Sequence, residues 1–304
     1  MKFLLSILFL IHAHVIHAHN LSFKEIQPGI YVHQGEHLDV DEGYHGDIAN
    51  IGFIIGKESV AVIDTGGSLE VGRQLLRAIR EKTSLPISYV INTHVHLDHI
   101  YGNAAFIKQN PIFVGHKELP KAMLLRKEFY ETTNQKFLNI SPEQSIQIPP
   151  KLLISINEPQ EIDLGNRKLR LEAFPSAHTN NDLIIVDIKT NTAWLADLMF
   201  TERTPSIDGD IHGWIDALDK IKKSNYKVII PGHGAPPTNN AEAIQKIKSY
   251  LELLRNGIRQ AIDNGLDLQE ALNTIAISEK DKWELFDVQN PRNINMVYTI
   301  MEWE

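Results

Sequence analysis

Short apolar runs rich in Ile and Val alternate with amphipathic stretches along most of the chain. Residues 30–33, 50–55 and 59–63 read as strands, the last running into the turn Asp64-Thr65-Gly66-Gly67. Residues 69–81 carry apolar positions at helical spacing, with Leu75, Leu76 and Ile79 on one face. Residues 87–92 form a buried-strand pattern that passes directly into a loop at 93–99, and 112–114 is a short strand. The mixed-charge stretch 116–138 reads as a helix that could cover a site. Two hairpin signals follow, 161–164 with 168–174 and 183–188 with 193–196. A helix at 214–223, a strand at 228–230, a long helix at 239–264 capped by Asn239 or Asn240, and a further helical stretch at 271–277 complete the pattern. Interleaved strands and helices predict α/β layering, and the hairpins predict mixed sheets.

The first 18 residues, MKFLLSILFLIHAHVIHA, depart from this pattern. One Lys, an apolar stretch from Phe3 to Ile11 and a small residue, Ala18, match a secretory signal peptide. The apolar core is too short to span a bilayer, so no stable membrane insertion is expected after its removal. Export to a periplasm or secretion follows as the expectation. No linker or repeat divides residues 19–304, which read as a single domain with C-terminal helices from about residue 239.

Composition narrows the chemistry. A net charge of −8 argues against a nucleic-acid partner. The absence of cysteine excludes disulfides, thiolate nucleophiles and Cys-ligated metals, whereas 14 histidines leave ample imidazole. Four of these, His12, His14, His17 and His19, lie in or beside the signal segment and drop out of the argument.

The strongest local feature is Thr93-His94-Val95-His96-Leu97-Asp98-His99, directly after a buried strand. On an extended loop alternate side chains share a side, so His94 and His96 can grip one metal, while Asp98 and His99 turn toward a second. His178, in Ser176-Ala177-His178-Thr179, follows the strand ending at Phe174. Asp197 ends the strand 193–196, and His233 follows 228–230 in Pro231-Gly232-His233-Gly234. Taken singly, Asp197 also reads as a helix cap and His233 as a turn residue; with the first cluster, their order along the chain is specific. Asp64, at a strand end, either orients a ligand from behind or caps its turn. His45, Asp47 and Asn50, in a Gly-flanked loop, are candidates for the substrate entrance. His116 and His212 read as structural or rim positions, and Phe129, Tyr130 and Phe137 as core packing. Gly66-Gly67 lacks the Lys-Ser/Thr of a phosphate cradle, and no G-x-S-x-G elbow occurs.

The order HVHLDH, SAHT, LAD, PGHG, with VIDTGG at 62–67, resembles the metallo-β-lactamase-fold hydrolase superfamily over residues 23–235. That resemblance implies an αββα sandwich of two mixed sheets with helices outside and metals at one edge. It implies a first zinc on His94, His96 and His178, a second on Asp98, His99 and His233, and Asp197 bridging the two. It further implies hydrolysis by a hydroxide shared between the metals, with Asp98 as the catalytic carboxylate, and a small ester, thioester, lactone or amide as substrate. Within the superfamily, GDIANIGFIIG at 46–56, DTGGSLEVG and HTNND at 178–182 are similar to the SoxH-like exported zinc hydrolases of quinoprotein and sulfur-oxidation systems. A periplasmic redox-system association is the corresponding partner expectation.

Lactamases of the commonest subclass place a Cys in the second site, and this chain has none. The resemblance there is to glyoxalase II-like hydrolases, which leaves β-lactam hydrolysis as a side activity. His/Asp donors also accept iron or manganese. Two other readings therefore stay open at this point: a mononuclear iron persulfide dioxygenase-like enzyme and a non-catalytic metal-binding accessory protein.

Overall fold

The computed structural model describes residues 20–41 and 43–304, so the expected signal peptide at 1–18 lies outside the described residues. Seven strands form the first sheet in sequence order: β1 (Lys24–Gln27), β2 (Ile30–His33), β3 (Ile51–Ile55), β4 (Val60–Ile63), β5 (Ile87–Ile91), β6 (Ile112–His116) and β7 (Leu152–Ile154). Neighbours run antiparallel from β1 to β4 and parallel from β4 to β7. The second sheet holds β8 (Gln160–Asp163), β9 (Lys168–Ala173), β10 (Leu183–Asp187), β11 (Thr192–Phe200) and β12 (Val228–His233) in the order β12-β11-β10-β9-β8. Only β11 and β12 are parallel there.

Side-chain alternation builds four layers from these strands. Ile54, Ala61, Ile63 and Ile91 from the first sheet meet Leu171, Ile185, Trp194 and Ile230 from the second in the central core. The alternate residues Phe53, Val60, Val62 and Val90 face outward and pack under α1 (Leu69–Lys82) and the 3₁₀ segment Asn103–Gln109. On the far side, Ile184, Val186, Ala193 and Leu195 pack under α4 (Ile211–Ser224), α5 (Asn240–Asp263), α6 (Leu268–Thr274) and α7 (Phe286–Met301). Strands covered on both faces explain the continuous Ile/Val runs. Two further helices, α2 (Leu97–Ile100) and α3 (Leu119–Leu138), lie by the 93–99 loop. The expected αββα sandwich of two mixed sheets is the observed architecture.

Several elements differ from the sequence reading. Asp197 does not end a strand: β11 continues to Phe200, and the ladder shifts register on both sides of Ala196, whose φ is 47°. This irregularity turns Asp197 within a strand that the apolar pattern alone would end. The loop at 93–99 closes into the turn α2 at Leu97. Residues 116–138 divide, with His116 completing β6 and α3 starting at Leu119. Asn239, not Asn240, caps α5 by accepting from the Glu242 N–H. Helix α7 escapes a periodicity search because Pro291 removes an internal N–H and Asn290 and Asn293 are buried in its apolar face. Both asparagines are satisfied, Asn290 by Tyr250 and the Ile275 carbonyl, Asn293 by Tyr250, the Pro205 carbonyl and the Ile207 N–H. Among the described residues no helix is long and apolar enough to cross a membrane.

Away from the histidine cluster, Arg167 links the two sheets. Its Nε and Nη2 donate to Asp187 at 2.9 and 3.1 Å, and Nη1 donates to the Pro28 and Ile55 carbonyls. Asp187 is fully buried, so removing the guanidinium strands a carboxylate in the core. Arg167→Met is expected to destabilise the fold by about 3–5 kcal/mol. Denaturant unfolding reads the shift, and a midpoint equal to wild type would contradict this account.

Candidate metal centre

The chain brings its candidate ligands together at one edge of the sandwich, each from a strand end, a turn or the β11 irregularity. The 93–99 loop leaves β5, the His178 turn joins β9 to β10, and His233 is the last residue of β12. Backbone bonds tie the two halves at this edge: Leu183 N–H donates to the Thr93 carbonyl at 2.8 Å, and Asn50 N–H to the Gly232 carbonyl at 2.7 Å. Gly232 passes so close to Asp197 that a Cβ there would overlap Oδ1, so β12 can approach only as glycine.

Two donor groups result. His94, His96, His178 and Asp197 form one, and Asp98, His99 and His233 the other, with the ligand atoms of each group within 4.8 Å of one another. In the first, His94 Nε2 and His178 Nε2 lie 3.1 and 3.0 Å from His96 Nδ1. Nitrogens bound tetrahedrally to one zinc at about 2.0–2.1 Å would stand about 3.3 Å apart, so this spacing fits a shared cation. Asp197 touches both groups: Oδ2 is 3.3 Å from His178 Nε2 and 3.2 Å from His233 Nε2, while Oδ1 is 3.2 Å from His99 Nε2. Asp98 Oδ2 lies 3.5 Å from both His99 Nε2 and His233 Nε2. His99 Nε2 and Asp197 Oδ1 are buried, near each other and outside hydrogen-bond geometry, as befits two donors aimed at a common cation rather than at each other. The donor set and its spacing therefore fit a pair of metal ions.

Every imidazole is oriented from behind through its other nitrogen, which leaves the inward nitrogen free to bind metal. Asp64 accepts from Thr93 N–H at 2.9 Å, Thr93 Oγ1 at 2.7 Å and His99 Nδ1 at 2.8 Å. Thr93 Oγ1 in turn faces His94 Nδ1 at 3.0 Å, so Asp64 orients one histidine of each group. Its φ of 51° bends the chain back beneath the loop. The other backing partners are Asp208 Oδ2 for His96 at 2.8 Å, the Ser206 carbonyl for His178 at 2.7 Å and the Ile48 carbonyl for His233 at 2.6 Å.

Electrostatics follow from burial. Desolvation holds His94 well below the ordinary histidine range, aided by repulsion from His99, and lowers His233; burial brings His178 down to about 3. These imidazoles are neutral near pH 7, the form that binds metal. Burial also pushes His99 down, but Asp197, Asp98 and Asp64 outweigh it and hold it well above the usual value. Burial would raise Asp197, yet His233, His99 and His94 keep it well below the usual carboxylate range. Several carboxylates facing one imidazole mark this as a place that favours positive charge.

The structure does not bring Asp47 and Asn50 to the substrate entrance. Asp47 is buried against His33 Nε2 at 2.8 and 2.9 Å. Asn50 is fully buried; Nδ2 donates to the Pro231 and Gly234 carbonyls, and Oδ1 accepts from Gly35 N–H. It tethers the segment that carries His233. His45 lies 3.7 Å from Glu36 and, like these two, is not among the residues lining the cleft. Their Gly-flanked loop signals a surface, but the Asp47 carboxylate and the Asn50 amide are used inside the fold. His116 is buried and His212 lies 3.9 Å from Glu304, as expected of structural and rim positions.

The cleft over the two groups measures about 650 Å³. Asp98, Asp197, His96 and His233 form its floor, and α3 forms a wall through Arg126, Phe129, Tyr130 and Phe137. Tyr130 is core, as expected, but Phe129 is 67% exposed and belongs to the cleft. Sequence reasoning missed Arg203, Arg126, Arg292 and Asp208, which also line it. Arg292 grips Asp39 with two bonds of 2.8 Å, and Arg126 Nη2 lies 2.6 Å from Asp208. Arg203 is buried, 3.2 Å from His233 Nδ1, and its Nε has no hydrogen-bond partner. None of these four stands in a spacing pattern; a lone Asp before Gly209 reads as a turn.

Comparison with known proteins agrees with this geometry. The profile described as the Metallo-beta-lactamase superfamily matches residues 45–233, which is more than half of the chain and contains every candidate ligand. Among solved structures, the metallo-β-lactamase of Pontibacter korlensis superposes with a TM-score of 0.60 at 19% identity, covering 76% of this chain and 99% of that one. The stereoselective inverting sec-alkylsulfatase of Pseudomonas sp. gives a TM-score of 0.67 at 19% identity over 92% of this chain, which spans only 50% of that protein. A curated relative, the linear primary-alkylsulfatase of Pseudomonas sp. (strain ATCC 19151), is 34% identical over 58 residues, 19% of this chain and 11% of that protein. The chain belongs to the metallo-β-lactamase superfamily, whose members are metal-dependent hydrolases.

Proposed function

We propose that this chain is an exported dinuclear zinc hydrolase that cleaves a small ester, thioester, lactone or amide. The observation that carries the reading is the pair of donor groups joined by Asp197, with each imidazole backed through its second nitrogen. The complete second set, Asp98, His99 and His233, favours two metals over a single iron site, which needs only two His and one Asp. Bound there, two zinc ions would supply Lewis acidity and a water acidic enough to serve as nucleophile near neutral pH.

The chain's own residues supply the rest. Asp98 lines the floor of the cleft and would orient the nucleophile and carry its proton there. Arg203, buried with an unpartnered Nε, and Lys136 on α3 bring positive charge to the cleft, while Arg126 and Arg292 are paired with Asp208 and Asp39. Phe129, Phe137, Leu97 and Ile207 add apolar walls for the substrate's carbon skeleton. The β-lactamases and alkylsulfatases named above act, by their names, on β-lactams and alkyl sulfates; both classes belong in the substrate panel. Export rests on the signal-peptide pattern at 1–18, and association with a periplasmic redox system on the SoxH-like motifs.

Protein purified from its native compartment is expected to carry two equivalents of zinc and to turn over at least one member of an ester, thioester, lactone, lactam and alkyl sulfate panel. His96→Ala is expected to lower turnover by more than about 100-fold, since loss of a partner behind a ligand alone costs 10–100-fold. Near-wild-type turnover by a folded, metal-assayed His96→Ala protein would sink the proposal.

Acid is expected to weaken both the fold and metal loading. The folded protein holds His178 at about 3, with His94 and His233 also lowered, whereas the unfolded chain protonates near 6.5. Below pH 6.5 the unfolded state binds more protons at these three histidines, each lowering stability by up to about 1.4 kcal/mol per pH unit, and Asp182, pushed up to about 8 by burial, offsets only one such contribution. His99, raised in the folded state, adds a constant contribution over this window and loses it only as pH rises. The melting temperature of chelator-treated protein should drop steadily from pH 6.5 to 4.5, and zinc should dissociate over the same interval. A flat melting profile there would contradict the assignment of these imidazoles as buried and neutral.

A further inference from the structure

His96 differs from the other four histidines in how it faces the cluster. His94, His99, His178 and His233 turn Nε2 inward, whereas His96 turns Nδ1 inward and leaves Nε2 at the ring tip pointing away. An imidazole used through Nδ1 has its far nitrogen at the greatest reach from the backbone, so whatever meets Nε2 decides both ring angle and tautomer. Here Asp208 Oδ2 meets it at 2.8 Å.

The position of Asp208 is itself over-determined. Its N–H donates to the His178 carbonyl at 3.0 Å, two residues beyond the Ser206 carbonyl that backs His178 Nδ1. Asp210 N–H donates to the Ala177 carbonyl at 2.9 Å, and Ile207 N–H to Asn293 on α7 at 2.9 Å. A Cβ on the intervening Gly209 would crowd the Ala177 carbonyl, so loop and turn are in close contact. On the cleft side Arg126 Nη2, from α3, lies 2.6 Å from the same Oδ2 that faces His96. Burial would raise the Asp208 carboxyl, but His96 and Arg126 outweigh it and keep it ionised.

We propose that Asp208 is a positioning residue for His96, fixing the ring with Nδ1 toward the metal, and that its loop places the carboxylate without need of the Arg126 contact from the covering helix α3. The 206–208 loop thereby orients two of the three imidazoles of the first donor group, one through a carbonyl and one through a carboxylate. This rests on the dinuclear reading above, and its test reads metal affinity so that a failure of the hydrolase assignment remains distinguishable.

Wild-type, Asp208→Ala, Asp208→Asn and Arg126→Met proteins are loaded with zinc and titrated with a chelator. Asp208→Ala is expected to lose about 10–100-fold in affinity for one zinc only. Asp208→Asn should fall between it and wild type, because the amide oxygen still accepts from Nε2–H without the charge. Arg126→Met should retain the affinity within about threefold, since removing the guanidinium leaves the Asp208–His96 bond intact. In ¹⁵N-labelled loaded protein the His96 Nε2–H proton should resonate downfield in wild type and move upfield in Asp208→Ala. Wild-type affinity for both ions in Asp208→Ala and Asp208→Asn would overturn the proposal, as would an equal loss from both ions. An Arg126→Met loss as large as that of Asp208→Ala would overturn it too, by moving the positioning charge to α3. Two tightly held zinc ions with no turnover by wild type would defeat the hydrolase reading while leaving these outcomes to decide the role of Asp208.

Discussion

A single buried carboxylate, Asp64, sets the geometry on which the centre depends. It accepts three hydrogen bonds from the 93–99 loop and through them orients His94 in one donor group and His99 in the other. Such a carboxylate is costly to bury, and only a full complement of donors offsets that cost. Its left-handed backbone conformation is the local strain that brings it under the loop. The remaining ligands obey the same rule: each inward nitrogen is defined by a partner behind it, and those partners come from both sheets.

The sandwich supplies what that arrangement needs, two rigid sheets whose ends meet. Asn50 and Gly232 hold the start of β3 against the end of β12, and the Leu183–Thr93 bond holds the start of β10 against the loop after β5. Asp197 reaches the middle of the cluster because β11 is irregular at Ala196 and β12 passes it without a Cβ. At the opposite end Arg167, held by a buried ion pair with Asp187 of its own sheet, ties to the other sheet through the Pro28 and Ile55 carbonyls. Core packing between the sheets thus fixes inter-ligand distances more firmly than the loops could do alone.

Reaction class and specificity occupy different parts of the molecule. The floor of the cleft is imidazole and carboxylate on rigid elements, while its wall is α3, whose Phe129 stands exposed and whose Arg126 reaches back to the floor. Substitutions along α3 can change what enters without touching the donors, which agrees with the general separation of chemistry from specificity on shared folds.

Local pattern determined a good deal here. Apolar periodicity located most strands and helices α1, α4 and α5, because strands buried on both faces are dominated by apolar residues, whereas α7 with its buried asparagines escaped it. The run from His94 to His99 declared a metal-binding loop by its own spacing, and the absence of cysteine left imidazole and carboxylate as its only chemistry. Pairing those residues with His178, Asp197 and His233 took a resemblance to a known family, since separations of about 80 to 140 residues carry no geometry. Only the tertiary structure decided that Asp197 sits inside a strand, that Asp47 and Asn50 are internal ties, and that Asp208, Arg126 and Arg203 surround the cleft. The reason is physical: a backbone bulge, a buried hydrogen bond and a salt bridge between distant segments depend on three-dimensional contact, and one-dimensional spacing does not record it.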